Sequence, residues 1–398
     1  MLQKIDVITL TLLFILLGSG LLSINSASIE EQNYFIRQAI WILIGLIFMV
    51  SINLIPLKVI IRFSYQVYGF TIFLLILVLF IGKAGQGAER WLVMGPLRLQ
   101  PSELAKIATI LAVSKYLANK EADVNRLKYF AITVGLILFP FVLIARQPDL
   151  GTALVFLAMI VPVLFWAGLN WFNLFIILAP LLTIGLSFNF WAFLILMFII
   201  TGILVISRRK PIILVAIFLL NIIVGIATPS IWKQLRPYQQ KRILTFLNPE
   251  KDPKGAGYQI IQSQVAIGSG GFWGKGYQKG SQTQLRFLPA QHTDFIFSVV
   301  GEEYGFFGVF IILIVFLLLI IRLIHLASLV KDRFSSHTVL GIAVVLAFHI
   351  LINIGMTIGM APVTGLPLPF FSYGGSFMIA NLMMMGLVLN IYRNKLGY

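Results

Sequence analysis

The residues best suited to chemistry are His292, Thr293 and Asp294, inside Gln282–Gly305, which reads QTQLRFLPAQHTDFIFSVVGEEYG. They close a long polar stretch and stand at the mouth of an apolar run that continues to Ile321. A carboxylate at the threshold of a membrane helix is costly to desolvate, so it is expected to have a function. Asp294 is therefore the expected chemical centre, with a cavity built around it. Thr293 is placed to cap a helix beginning at Asp294. A helix N-terminus favours negative charge there, whereas apolar surroundings disfavour it. A carboxylate with raised proton affinity suits a general base. One kept ionised suits a Mg²⁺ ligand, with the metal offsetting pyrophosphate charge. Both roles stay open. His292 reads as a residue hydrogen-bonded within its loop, because no second His or Cys stands near it to share a metal.

Further polar residues collect before other apolar runs. Arg90 precedes Leu99-Gln100-Pro101-Ser102-Glu103-Leu104-Ala105-Lys106. Pro101 or Ser102 starts a helix there, by fixed backbone angle or by capping. Glu103 and Lys106, three apart, share one face of its first turn. They form either a local ion pair or, with Arg90 and Gln100, the polar wall of a substrate cavity, which is the expectation. Asp149, in the short turn Arg146–Thr152, either caps the next helix or faces the same cavity. Glu302 and Glu303 lie roughly 12–14 Å along the helix from Asp294 and read as structural anchors.

Two irregular segments complete the set. Gly268–Gly276 lacks the spacing of a nucleotide phosphate loop and reads as a flexible, close-packed loop, with amide binding of a lipid pyrophosphate as the alternative. Ala361–Ser376 holds three prolines and three glycines, which forbids a regular helix. Flanked by apolar runs, it must be an outer or re-entrant loop, able to close the cavity from the opposite side.

The elements that carry these residues must be membrane helices. The 398 residues are 59% hydrophobic and 11% charged, with mean hydropathy +0.96. That much apolar surface excludes a soluble protein, and the alternating strands of a membrane barrel are absent. No cysteine is present, so disulfides and thiolate metal sites are excluded. The net charge of +16 lies mostly in short loops between apolar runs, which argues for membrane topology and against nucleic acid. Spans are expected near 7–24, 36–55, 63–82, 102–118, 129–146, 150–168, 172–187, 190–206, 211–228, 295–321, 338–359 and 376–392. The first is read as a retained helix rather than a signal peptide. The region 172–206 could also be one helix, though about 35 residues overshoot a 30 Å core and Asn189 marks a turn. The fold class is thus an all-α polytopic bundle of about twelve spans in a single membrane domain, 1–398. Lys58, Arg62, Lys115, Lys120, Arg126, Lys128, Arg208, Arg209, Lys210, Arg322, Lys331, Arg333, Arg393 and Lys395 mark the cytoplasmic side, together with both termini. Asp294 then lies outside. So do a large loop, 229–293, with amphipathic helices near Pro237–Leu247 and Tyr258–Ile267, and the Pro/Gly-rich loop 360–375.

With these motifs in view, the chain resembles the SEDS family (shape, elongation, division and sporulation). RWLVMGPLRLQPSELAK at 90–106, QPDLGTA at 147–153, FLPAQHTDFIFSVVGEEYGFFG at 287–308 and GLPLPFFSYGGS at 365–376 carry the likeness. AIGSGGFWGKGYQKGSQTQLRFLP and VTGLPLPF make it most similar to the rod-shape elongation branch, the RodA type. The resemblance implies a peptidoglycan glycosyltransferase acting outside the inner membrane. It would polymerise lipid II during cell elongation and release undecaprenyl pyrophosphate, with a divalent cation, Mg²⁺ or Mn²⁺, as cofactor. It also implies a class B penicillin-binding protein and the elongation machinery as partners. The family's essential aspartate falls on Asp294, and Glu103, Lys106 and Asp149 match positions lining its central cavity. Family members usually have ten spans, so the interval from Asn170 to Thr228 is expected to hold an added pair. A lipid II flippase is the alternative; its charges should lie near mid-membrane rather than at the outer ends of spans.

Overall fold

The computed structural model describes residues 6–28, 33–81, 83–85, 88–94, 97–207, 211–234, 237–252 and 255–395. Twelve helices coincide with the expected spans: α1 (Val7–Ala27), α2 (Asn33–Leu54), α3 (Leu57–Ile81), α4 (Pro101–Leu117), α5 (Leu127–Arg146), α6 (Leu150–Trp166), α7 (Trp171–Leu186), α8 (Phe190–Ile206), α9 (Pro211–Gln234), α13 (Ile296–Leu329), α14 (Arg333–Thr357) and α15 (Gly375–Asn394). Between α9 and α13 come the short α10 (Pro237–Leu247), α11 (Ala256–Ser269) and α12 (Ser281–Gln284). Eight of the twelve are long and apolar enough to cross a membrane. α6, α7 and α8 are shorter and apolar. α4 is less apolar, but nearly all of it is buried.

Contacts at the helix ends fix the direction of the bundle. At one end Arg322 makes a two-point ion pair with Asp6, which caps α1. At the same end Asn390 donates to the Ile52 and Ile55 carbonyls, and Lys115 donates to the Arg62 carbonyl. At the other end Ser26, near the close of α1, hydrogen-bonds Glu303, near the start of α13. α1 and α13 are therefore antiparallel, and the Asp294 turn lies at the end opposite Asp6.

The region 172–206 is two helices. The Asn189 side chain accepts from the Ala192 amide (3.1 Å) and caps α8. With α9 these helices form their own apolar cluster of Ala179, Leu196, Met197, Ile200, Leu204 and Ile217. Thr183 donates to Asn221 across it (2.8 Å). α9 continues through Pro229 to Gln234, so the outer loop begins later than the expected residue 229.

Three features depart from the sequence expectation. First, the connection from α3 to α4 is a small antiparallel sheet of β1 (Lys83–Gly85), β2 (Ala88–Met94) and β3 (Leu97–Leu99), in that order. Trp91-Leu92-Val93 favours extended chain. Leu92 pairs with Leu99 in register, and both pack on Leu74 and Val78 of α3. This seats Gln100 immediately before α4.

Second, α13 is broken at Gly305, whose φ of 64° and ψ of −163° are not helical. The glycine run fills the break. The Phe306 and Phe307 amides donate to the Gly271 and Phe272 carbonyls (2.9 and 3.1 Å). The Lys275 and Gly276 amides donate to the Glu302 and Glu303 carbonyls (3.0 and 2.9 Å). Backbone groups freed by the break are thereby paired. The loop expected to be flexible and close-packed is close-packed, filling the break in the helix. Below the break, Phe306 to Leu329 is about 36 Å long at roughly 1.5 Å per residue, enough to cross a bilayer alone.

Third, α13 begins at Ile296, not at Asp294. Phe295 N–H turns back to the Ala290 carbonyl (3.4 Å), and the Thr293 hydroxyl donates to that same carbonyl (3.2 Å) instead of capping the helix.

Candidate active site

α4 starts at Pro101, with Gln100 extended before it. One turn in, the Glu103 Oε2 and Lys106 Nζ atoms are 2.8 Å apart. Both residues are sealed in the core, at 4% and 0% exposure. Lys106 Nζ also lies 3.0 Å from His349 Nε2 and 5.3 Å from the centre of the Phe377 ring. His349 Nδ1 faces the Pro367 carbonyl (3.2 Å). A carbonyl only accepts, so Nδ1 carries the proton and Nε2 accepts from Lys106. Lys106 thus meets Glu103 and His349 and is shielded from solvent.

Asp149 does cap α6, accepting from the Thr152 amide (3.2 Å). It also meets Arg90 Nη1 (3.6 Å) and accepts from Gln100 Nε2 (3.3 Å). Arg90 Nη2 donates to the Pro148 carbonyl (2.6 Å). The Arg90 side chain keeps 30% exposure, so it offers a cation at the surface of this cluster.

The loop between α14 and α15 joins these groups to Asp294. Four successive residues each meet a different part of the site. The Thr364 carbonyl lies against Gly151 of α6, where a Cβ would sit 2.7 Å from it. Gly365, at φ +75°, lies beside Asp294: a Cβ there would be 3.4 Å from Oδ2. The Leu366 carbonyl accepts from Asn353 (2.8 Å), and the Pro367 carbonyl meets His349. Further along, Ser376 Oγ accepts from the Gln100 amide (3.3 Å) and donates to the Arg98 carbonyl (2.8 Å). The Pro/Gly-rich loop therefore lies against the candidate residues, while none of it lines the cavity that opens beside His292. Its irregular backbone is allowed at depth because protein surrounds it.

Asp294 and Thr293 are partly buried. The His292 ring stacks on Tyr34 (4.4 Å between centroids, 21° between planes) and meets Tyr373 edge-on. A cavity of about 210 Å³ opens on this flank, between Ala27 and Ser28, Tyr34, and the turn from Arg286 to His292. Of the candidate residues only His292 lines it; Glu103, Lys106, Asp149 and Asp294 do not.

Glu302 and Glu303 fasten the loop before α13 to that helix. Glu302 accepts from Lys275 (2.8 Å), the Gln282 amide (2.9 Å), and the Thr283 amide and hydroxyl (2.9 and 2.8 Å). Glu303 takes Ser26 and the Gln278 amide. α11 docks through Ser263, which lies 2.6 Å from Ser298 Oγ and donates to the Thr357 carbonyl (2.6 Å). His349, Asn353 and Ser372 escaped the sequence reading. A His and an Asn four residues apart inside an apolar span share a helix face, and polar groups there are costly, which is the signal that marks them.

A family model described as "Cell cycle protein", covering FtsW, RodA and SpoVE, matches residues 3–195 and 189–396. The chain belongs to the FtsW/RodA/SpoVE family. It is 37% identical to the peptidoglycan glycosyltransferase MrdB of Escherichia coli, over 98% of this chain and 94% of that one. Among solved structures it is similar to a chain from work on the structural coordination of polymerization and crosslinking by a peptidoglycan synthase complex, with TM-score 0.76, 33% identity and 98% of each chain covered. It is also similar to the rod-shape-determining protein RodA of Thermus thermophilus, with TM-score 0.66, 29% identity, and 98% and 97% of the two chains covered. This is the SEDS family of the sequence reading. Membership agrees with the polytopic helical fold and the RodA-type motifs.

Proposed function

We propose that this chain is a peptidoglycan glycosyltransferase that polymerises lipid II into glycan strands during cell elongation, on the outer face of the plasma membrane. Its family and the activity named for its relative MrdB support the reading. The observation that carries it is the run Thr364–Pro367, which meets the start of α6, Asp294, Asn353 and His349 in succession. Acidic residues from three helix starts share one end of the bundle, which favours an enzyme over a transporter. The basic residues Lys58, Arg62, Lys115 and Arg322 lie toward the opposite end, which supports an outward-facing site.

In the reaction, the acceptor sugar's 4-hydroxyl attacks the anomeric carbon of the growing chain. The bond from that carbon to the lipid pyrophosphate breaks, and undecaprenyl pyrophosphate leaves with the electron pair. Asp294 serves as the base that takes the hydroxyl proton, and Arg90 supplies cationic charge for the leaving group. The cavity beside His292 gives room for a sugar next to this turn. Lys106, enclosed by Glu103, His349 and Phe377, holds the wall of the site. The other role open to Asp294 is to hold Mg²⁺ or Mn²⁺. Among the described residues no three His, Cys, Asp or Glu gather to hold a metal. The donors fit only a cation whose remaining ligands are substrate phosphates and water, a usual mode for Mg²⁺. Such a cation would offset pyrophosphate charge. A class B penicillin-binding protein of the elongation machinery is the proposed partner, in keeping with the synthase complex that holds the similar solved chain.

The test is glycan-strand synthesis by purified protein with its partner, lipid II and a divalent cation, read on a gel. Asp294→Asn should fold normally and lose about 10²–10⁴-fold in rate. Polymer at the wild-type rate in that variant refutes the role of Asp294. No polymer from the wild-type protein favours a flippase.

A further inference from the structure

Three consecutive carbonyls before α13 are each taken by a donor from elsewhere in the chain. The His292 carbonyl accepts from the Tyr373 amide (2.9 Å). The Thr293 carbonyl accepts from the Ser372 hydroxyl (2.6 Å). The Asp294 carbonyl accepts from Asn353 Nδ2 (2.9 Å). None of the three is taken by its own helix: beyond the local bonds to the Ala290 carbonyl, the turn is fixed by donors from α14 and the loop before α15.

The two side-chain donors are themselves fixed. Asn353 and Ser372 are both 0% exposed. Asn353 Nδ2 donates a second bond to the Leu366 carbonyl (2.8 Å), so one amide ties the Asp294 backbone to the loop beside its carboxylate. Ser372 Oγ accepts from the Leu368 amide (2.8 Å) while donating to Thr293. The Ser372 carbonyl accepts from Gln38 Nε2 (3.3 Å), and Gln38 Oε1 accepts from the Gly374 amide (3.2 Å). The two donors are buried, where a low local dielectric strengthens such bonds.

We propose that Asn353 and Ser372 are positioning residues for the reaction: they touch no substrate, but set where the Asp294 carboxylate stands. Rates of positioned reactions fall steeply with small displacements, about 10²-fold for roughly 1 Å. Losing either clamp lets the turn relax toward a regular helix start, which moves Asp294. Because Asp294 acts on the reacting atoms, the loss should appear in kcat and leave KM for lipid II nearly unchanged.

The inference rests on the proposed role of Asp294, and the experiment separates the two. Asn353→Ala, Ser372→Ala, Ser372→Thr and Asp294→Asn are compared in the full-length protein with its partner. Asn381→Ala is the control, since Asn381 is equally buried but donates within its own helix, to the Phe377 carbonyl (2.9 Å). Expected are a fall in kcat of about 10- to 100-fold in each alanine variant, KM within a few-fold of wild type, recovery in Ser372→Thr, and full kcat in Asn381→Ala. Wild-type kcat in both folded alanine variants overturns the positioning role, as does a loss confined to KM. If Asn353→Ala does not fold, Ser372→Ala decides. If neither folds while Asn381→Ala does, the two residues serve the fold and the proposal is wrong. Activity retained in Asp294→Asn instead removes the reading on which the inference stands.

Discussion

Lys106→Met is the most informative change to the core of the site. It removes one partner of an ion pair at 2.8 Å whose side chains are 0% and 5% exposed. The gross attraction is about 6 kcal/mol at an effective dielectric of roughly 20, and it offsets the cost of burying both charges. Removing the lysine alone leaves Glu103 buried without its counter-charge and His349 Nε2 without its donor. The expected loss of stability is about 3–5 kcal/mol. Glu103→Gln should cost less, about 1–3 kcal/mol, because Lys106 keeps His349 and the Phe377 ring. The double variant Glu103→Gln/Lys106→Met removes both charges and should cost no more than Lys106→Met alone. That is a coupling at least as large as the cost of Glu103→Gln, about 1–3 kcal/mol. Equilibrium unfolding in lipid–detergent micelles measures all four corners of the cycle. Additive single effects, or a Lys106→Met protein within about 1 kcal/mol of wild type, would show that the pair is solvated and the argument from burial wrong.

Two further outcomes follow from the helix break and its fastening. Gly305→Ala places a Cβ 2.3 Å from the Gly274 amide nitrogen at a φ of 64°, so it should destabilise by about 3 kcal/mol or more and speed proteolysis within 270–280; an unchanged cleavage pattern contradicts this. Glu302→Gln loses the charge that gathers Lys275, Gln282 and Thr283. It should cost about 2–3 kcal/mol and loosen the loop before α13, read as faster hydrogen exchange at 275–285 with α5 and α6 unaffected.

Spans were legible in the sequence because apolar runs and breaks such as Asn189 follow from the thickness of a bilayer. The ends of α10 were legible too, from Pro237 and the amphipathic spacing before Leu247. Charges near helix starts singled out Glu103, Lys106, Asp149 and Asp294, but the cavity expected among them lies instead beside His292. What could not be read was which neighbour each would meet. Glu103 and Lys106 share a face by spacing, but only packing against α14 and α15 encloses them. The sheet at 83–99 was hidden because short strands give weak periodic signals among glycines. The glycine run at 268–276 looked loose by composition, and its order comes from bonds to a helix break some thirty residues away. The turn at 292–294 resembled a capped helix start, and donors from residues 353, 372 and 373 override that local preference.

The segment that lies against the site is encoded near the far end of the chain. Asp294 is synthesised well before Asn353, and Ser372 comes later still. During membrane insertion, then, the Asp294 carboxylate precedes its holders, and a copy whose synthesis stops after α14 lacks Ser372 altogether. On the proposed reading, the carboxylate at 294 is held in place only once residues up to 373 have been made.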